Sequence, residues 1–215
     1  MKVAVVTSSP PLAEGGHLVI ARSVVDALRA AGHDAGLVVT PQNRFGRQAS
    51  AYIATWLTDV GVAHDGARID HVISFRYPSY AVRHPRHVVW LNHRMREYYD
   101  LWDRFQRTLS WKGRVKERLR RAALHRVDTH LLTRRVTRVF AQSATIQRRL
   151  QRFGNIAAEV LYPPAPPRPY RCDGYGPELF AVSRLTALKR IDLLVRALAE
   201  PAAASRCAIV VVSRA

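Results

Sequence analysis

The chain has 215 residues, 48% of them hydrophobic, and its 34 Lys and Arg against 16 Asp and Glu give a net charge of +18. That apolar content is ordinary for a globular protein, and the length suits one large domain or one domain with part of another. No apolar run reaches the roughly 18 residues of a membrane span. "VAVV" is too short for a signal-peptide core, and Cys172 and Cys207 form neither a metal spacing nor a disulfide framework, so a reducing cytoplasm is expected.

Only Lys2, Lys112, Lys116 and Lys189 are lysines; the remaining basic residues are arginines, scattered from Arg22 to Arg214. Most of that bias reads as the coding composition of the source genome. The exception is residues 104–138, where 12 Lys or Arg meet only Glu117 and Asp128, with Asp103 just before them. An anionic partner, nucleic acid or membrane surface, is the expectation for that segment alone.

In chain order, "KVAVVTS" predicts a buried parallel strand. The loop "PPLAEGGH" leads into a helix with apolar Leu18, Ala21, Val24, Val25 and Leu28, closed by Gly32, and "DAGLVVTP" is the next strand. Together they make a right-handed βαβ unit. "SAYIATWLTDVGV" predicts a short helix, and "IDHVISF" and "RHVVWLNH" two more strands. Residues 100–138 read as helical, broken near Ser110 to Gly113, with Val115, Leu119, Ala122 and Ala123 on one stripe. "RVFAQS" is a strand, "ATIQRRLQRFG" a helix with Ser143 as N-cap and Gly154 as C-cap, and "AAEVLYP" a sixth strand.

The proline-rich stretch at 163–177 predicts an extended linker, and "LFAVSRL", "KRIDLLVRALA" and "CAIVVVS" then repeat the βαβ theme. The expected organisation is a doubly wound, Rossmann-like α/β domain over 1–162, the linker, and an incomplete second Rossmann-like domain over 178–215. One strand, one helix and one strand bury too little surface to stand alone, so a truncated chain is expected.

Three places can carry chemistry. Gly15 and Gly16 lie between the first strand and its helix, where glycine admits a close ligand and free N–H groups favour an anion; a tight turn that needs glycine explains them equally. Arg184 and Lys189 occupy the equivalent loop of the second βαβ unit. Cations there oppose the helix dipole unless an anion joins them, and a loop lets both reach one diphosphate. His93 ends the fourth strand, on the edge where doubly wound sheets bind ligands, and as a neutral imidazole can hydrogen-bond a hydroxyl. Arg94, Arg96, Glu97, Tyr98 and Tyr99 either line an acceptor cleft or pair with one another. No Ser-His-Asp order, paired-carboxylate motif or metal cluster stands out.

The motifs "EGGHLVIARSVVDALRAAGHDAGLVV", "HVVWLNHRMREYYDLW", "RVFAQSATIQRRLQRFG" and "FAVSRLTALKRIDLLVRALA", in that order, resemble glycosyltransferase family 4, retaining enzymes of the GT-B fold. The resemblance covers essentially the whole chain. It implies that Gly15 and Gly16 form the N-domain glycine loop facing the donor and that His93 reaches the donor sugar. Arg184 and Lys189 would neutralise the diphosphate of a nucleotide sugar, electrostatic stabilisation of a leaving group that needs no metal or other cofactor. The family's second domain continues past "VVVSRA" to a further glycine loop and an E-x7-E pair, so this chain is not expected to turn over alone. The implied partners are a nucleotide sugar and a carbohydrate or lipid-linked acceptor, with the inner membrane face as a peripheral docking surface. The alternative is a basic protein that binds nucleic acid or anionic membrane through residues 104–138. For specific nucleic-acid binding that segment has no recognisable motif, and Phe105 and Trp111 are too few for a stacking platform.

Overall fold

The computed structural model describes all residues except 43–44, 165–168, 170, 173, 175–178, 184, 186–187, 200–208 and 213–215. Arg184, Cys207 and much of the 163–177 stretch therefore lie outside the described residues. The chain forms two compact units, Met1–Pro167 and Arg168–Ala215.

The first unit is built on six parallel strands in the order β2-β1-β3-β4-β5-β6: β1 (Lys2–Ser9), β2 (Asp34–Pro41), β3 (His71–Ser74), β4 (His87–Leu91), β5 (Arg138–Ala141) and β6 (Glu159–Val160). Helices flank the sheet, making the unit α/β and Rossmann-like. The unbroken apolar run of β1 follows from its central place, because both of its faces must be covered. Val3 and Val5 pack with Ala21 and Val25 of α1 (Gly16–Ala30), whereas Ala4 and Val6 pack with Val60, Val72 and Val82 on the opposite face.

The α1 helix ends as its glycine predicts. Gly32 adopts φ +80, its N–H donates to Arg29 O at 2.9 Å, and His33 N–H donates to Leu28 O at 3.0 Å, the bond pair of a Schellman motif. At the end of α5 (Ala144–Arg152) the expectation needs correcting. Ser143 does cap the start, accepting from Ile146 N–H, but the left-handed residue at the end is Asn155 (φ 48), not Gly154. Glycine at 154 has a packing reason instead: a Cβ there would lie 3.0 Å from Ile156 Cδ1 and 3.3 Å from Thr129 Oγ1.

Helix α2 spans Gln48–Leu57, and the basic region forms α3 (Trp102–Arg107) and α4 (Trp111–Arg134), with Ser110 accepting from Gly113 N–H as the α4 N-cap. The Val115, Leu119, Ala122 and Ala123 stripe faces solvent. The packed face of α4 carries Glu117, Leu124, Asp128 and Leu132. Its polar members have partners: the hydroxyls of Tyr52, Tyr80 and Tyr99 all donate to Asp128, which is 1% exposed, and Tyr98 donates to Glu117 at 2.8 Å. Burial first, and the Asp128 charge second, push the Tyr52, Tyr80 and Tyr99 hydroxyls far above the ordinary phenol range, so all three remain donors. A helix chosen by apolar periodicity alone would have been docked by the wrong side.

In the second unit, β7 (Leu179–Val182) pairs in parallel with β8 (Ile209–Val212), and α6 (Ile191–Ala199) lies between them in sequence.

Candidate functional site

The strand order places a switch point between β1 and β3. The chain leaves β1 toward β2 on one side and leaves β3 toward β4 on the other, so the two exits diverge and open a crevice at the carboxyl edge. Three exits converge there: Ser9 to Gly16 after β1, Phe75 to Ser79 after β3, and Asn92 to Arg94 after β4.

Hydrogen bonds tie these exits together. Ser8 Oγ donates to Tyr77 O at 2.5 Å, Asn92 N–H to Phe75 O at 2.7 Å, and Tyr77 N–H to His93 O at 3.3 Å. The fully buried Ser79 hydroxyl accepts from the N–H groups of Phe75 and Arg76, both at 3.2 Å, and donates to Arg76 O at 2.7 Å. That turn fixes where Arg76 leaves the sheet.

On the β1 side, Gly15 is the N-cap of α1 with extended backbone (φ −177), no side-chain cap, and no acidic residue in the first turn. No carboxylate within the first turn offsets the positive end of the helix dipole. Neither Gly15 nor Gly16 is left-handed, so the turn itself does not demand glycine. A Cβ on Gly16 would meet nothing within 4 Å, which leaves the space above the helix start open. The same loop holds Leu12 in the left-handed region (φ 59), with its side chain fully exposed.

His17, in the first turn of α1, has Nε2 3.3 Å from Ser9 Oγ. Burial, with help from nearby Arg76 and His93, pushes its pKa down to about 4. Arg76 is pushed down to about 10 by burial; among the described residues it pairs with no carboxylate, and its Nε has no hydrogen-bond partner. His93 is also lowered, by burial and then by Arg76. Its Nδ1 lies 3.0 Å from Arg94 O. A carbonyl can only accept, so the neutral ring carries its proton on Nδ1 and offers Nε2 as an acceptor. At neutral pH the edge thus holds one guanidinium and two neutral imidazoles beside a helix N-terminus. Chemically, it can take an oxyanion and a hydroxyl.

Gly15, Gly16 and His93 therefore share one edge of one unit. Lys189 lies in the other unit, exposed in the turn before α6. Beside it, Arg190 Nε lies 3.3 Å from Asp192 Oδ1, and Asp192 occupies the first turn of α6. That carboxylate complements the helix dipole from within the chain, which removes part of the reason to expect an external anion there. Arg184 lies outside the described residues.

Two site residues escaped the sequence reading, Arg76 and His17. Arg76 follows the third strand as directly as the glycine loop follows the first, and that position was the available signal. As for the pairing question after His93, Arg96 pairs with Asp100 at 2.7 Å and Tyr98 bonds Glu117. Arg94 lines a cavity with His93, Arg96, Asp100 and Arg149.

Among the described residues no group of three His, Cys, Asp or Glu is arranged to hold a metal ion, and no helix is long and apolar enough to cross a membrane. No family model matches the chain, and no curated protein matches it.

Proposed function

We propose that the protein is a glycosyltransferase that takes its sugar from a nucleotide donor, built on the GT-B plan that its motifs resemble. One observation carries the reading: Arg76, half-buried without a carboxylate among the described residues, stands at the switch point with His17, His93 and the open N-terminus of α1. A guanidinium desolvated without a counter-ion is unfavourable unless a ligand supplies the charge. A diphosphate fits that need, and the His93 Nε2 is the group that accepts a hydrogen bond from a sugar hydroxyl. By the resemblance, Lys189 and Arg184 supply further positive charge for the leaving diphosphate.

Titrating UDP-, GDP- and ADP-sugars into the isotope-labelled chain tests this. The amide signals of Gly16 and His17 and the His93 ring signals should move, and Arg76→Gln should weaken binding by roughly 10- to 100-fold, the worth of a charge-assisted contact. Unmoved signals at millimolar concentrations of all three donors would overturn the reading.

A second observation favours an anionic lipid surface as the place of work. The solvent face of α4 exposes Trp111 (71%), Val115 (52%) and Leu119 (70%) one turn apart, with exposed Lys112, Lys116, Arg118 and Arg126 around them. An apolar stripe flanked by cations matches an interfacial helix, in which the apolar face enters the acyl boundary and the basic groups meet phosphates. Nucleic acid has no use for that stripe. Vesicles containing phosphatidylglycerol should sediment the protein, phosphatidylcholine vesicles much less, and Leu119→Glu should abolish the difference. Equal sedimentation with both lipids would dismiss this reading.

A further inference from the structure

The cavity beyond β4 shares His93 with the Arg76 crevice but has its own imbalance of charge. It is lined by Leu91, His93, Arg94, Arg96, Tyr99 and Asp100 from the β4 exit, together with residues of α5 that include Arg149. Asp100 Oδ2 accepts from Arg96 Nη2 at 2.7 Å and forms an ion pair with Arg149, whose Nη2 lies 3.0 Å away. One carboxylate therefore serves two guanidinium groups, and the third is left over. Arg94 is only 6% exposed. Its Nη2 donates to Arg149 O at 3.2 Å and its guanidinium lies 3.9 Å from the Tyr99 ring centroid, yet its Nη1 is buried without a partner among the described residues.

The ring contact offsets little of what that burial costs: a desolvated cation–π contact is worth about 2 kcal/mol, against a penalty of several kcal/mol for taking an ion out of water. The cavity measures about 20 Å³, room for one water-sized atom by the usual minimum of roughly 10–15 Å³. A water would accept a hydrogen bond from Nη1–H but brings no charge to a site with three cations and one anion. The oxygen of an oxyanion supplies both the acceptor and the charge, at the size the cavity allows.

We infer that this cavity is an oxyanion subsite that seats one oxygen of a carboxylate or phosphoryl group on Arg94, with Arg96 and Arg149 adding charge from the rim. His93 lines the same cavity, so a substrate anchored there by its acid group is held beside the imidazole. Taken with the glycosyltransferase reading, on which this last step rests, the acceptor is an acidic molecule: a uronic acid, a phosphorylated sugar or a phosphate-bearing lipid.

Inorganic phosphate and acetate, titrated separately, are the probes, read by the guanidinium signals of Arg94 and Arg149. At least one should bind with a millimolar dissociation constant, and the tighter of the two identifies the acid group. Arg94→Gln should abolish the response. Arg94→Lys, which keeps the charge but not the fork, should weaken it about tenfold while the backbone spectrum stays that of the folded protein. If neither anion moves the Arg94 signals at 50-fold above the millimolar range, or if Arg94→Lys binds as tightly as the parent, the subsite is refuted. The probes contain no nucleotide or sugar, so that failure leaves the donor reading standing, just as failure of the donor titration leaves the subsite standing.

Discussion

Arg94 stacks on Tyr99, and the hydroxyl of that same tyrosine donates to Asp128 on α4. The His125 imidazole lies parallel to the same ring with centroids 4.2 Å apart, and Phe153 meets it edge-on at 5.7 Å. The proposed oxyanion subsite is thus anchored to the buried acid of the core through one aromatic side chain. Tyr99→Phe keeps the stack and removes the bond, so urea unfolding should show a loss of about 1.5–3 kcal/mol, the worth of a hydrogen bond to a charged group, with anion affinity nearly unchanged. Tyr99→Leu should lose both.

Asp128 should be the most sensitive core position of the unit. Asp128→Ala leaves three buried hydroxyls without their shared acceptor and a void beside them, and a destabilisation of about 3–5 kcal/mol is expected from chemical denaturation. Asp128→Asn retains an acceptor oxygen but not the charge, and should fall well short of that loss. Equal effects from the two variants would show that the charge alone, not the volume or a retained acceptor oxygen, matters there.

Gly16 separates a structural glycine from a functional one. Its backbone is unstrained and a Cβ meets nothing, so Gly16→Ala should leave the melting temperature unchanged or raise it, since alanine suits a helix better by up to about 1 kcal/mol. Donor affinity should fall at the same time. A variant that melts early and binds normally would contradict the proposed role.

Acid should loosen the unit before carboxylates begin to titrate. His87 is buried against Ser74 Oγ at 2.8 Å, and burial holds its pKa near 4; His17 is lowered to about 4 as well. Both are neutral in the folded chain while an unfolded histidine titrates near 6.5. Their contribution is complete above pH 6.5 and drains away as the pH falls from 6.5 toward 4, by at most about 3 kcal/mol for His87. Unfolding midpoints measured across that window should show the slope, and His87→Gln should flatten it.

Leu12 holds a left-handed backbone that costs a branched side chain roughly 1–2 kcal/mol. Leu12→Asn, which tolerates that conformation, should stabilise the unit by about 0.5–1 kcal/mol in thermal unfolding. A loss instead would mean that the exposed leucine has packing that its exposure hides.

Much of the sheet was legible because β-branched runs between loops have few alternatives, and "DAGLVVTP" coincides with β2 from end to end. The orientation of α4 was not, because its packing partners are phenol groups from Tyr52, Tyr80 and Tyr99, brought together only by the fold. For the site, glycine and histidine at strand ends are visible in one dimension. Arg76 is one arginine among many, and what marks it, partial burial at the sheet edge with an unpartnered Nε and no carboxylate among the described residues, exists only in space.

On α4, three phenols on one carboxylate act as a mechanical key. An apolar stripe can slip by a methyl group and still stay dry, but a hydrogen-bonded lock has a single axial setting. Because His125, three residues before Asp128, holds Tyr98 O at 2.7 Å and stacks on Tyr99, that setting is passed to the floor beneath Arg94. A load applied to the outer face of the helix, whatever it touches, would be felt there as a push rather than absorbed as a slide.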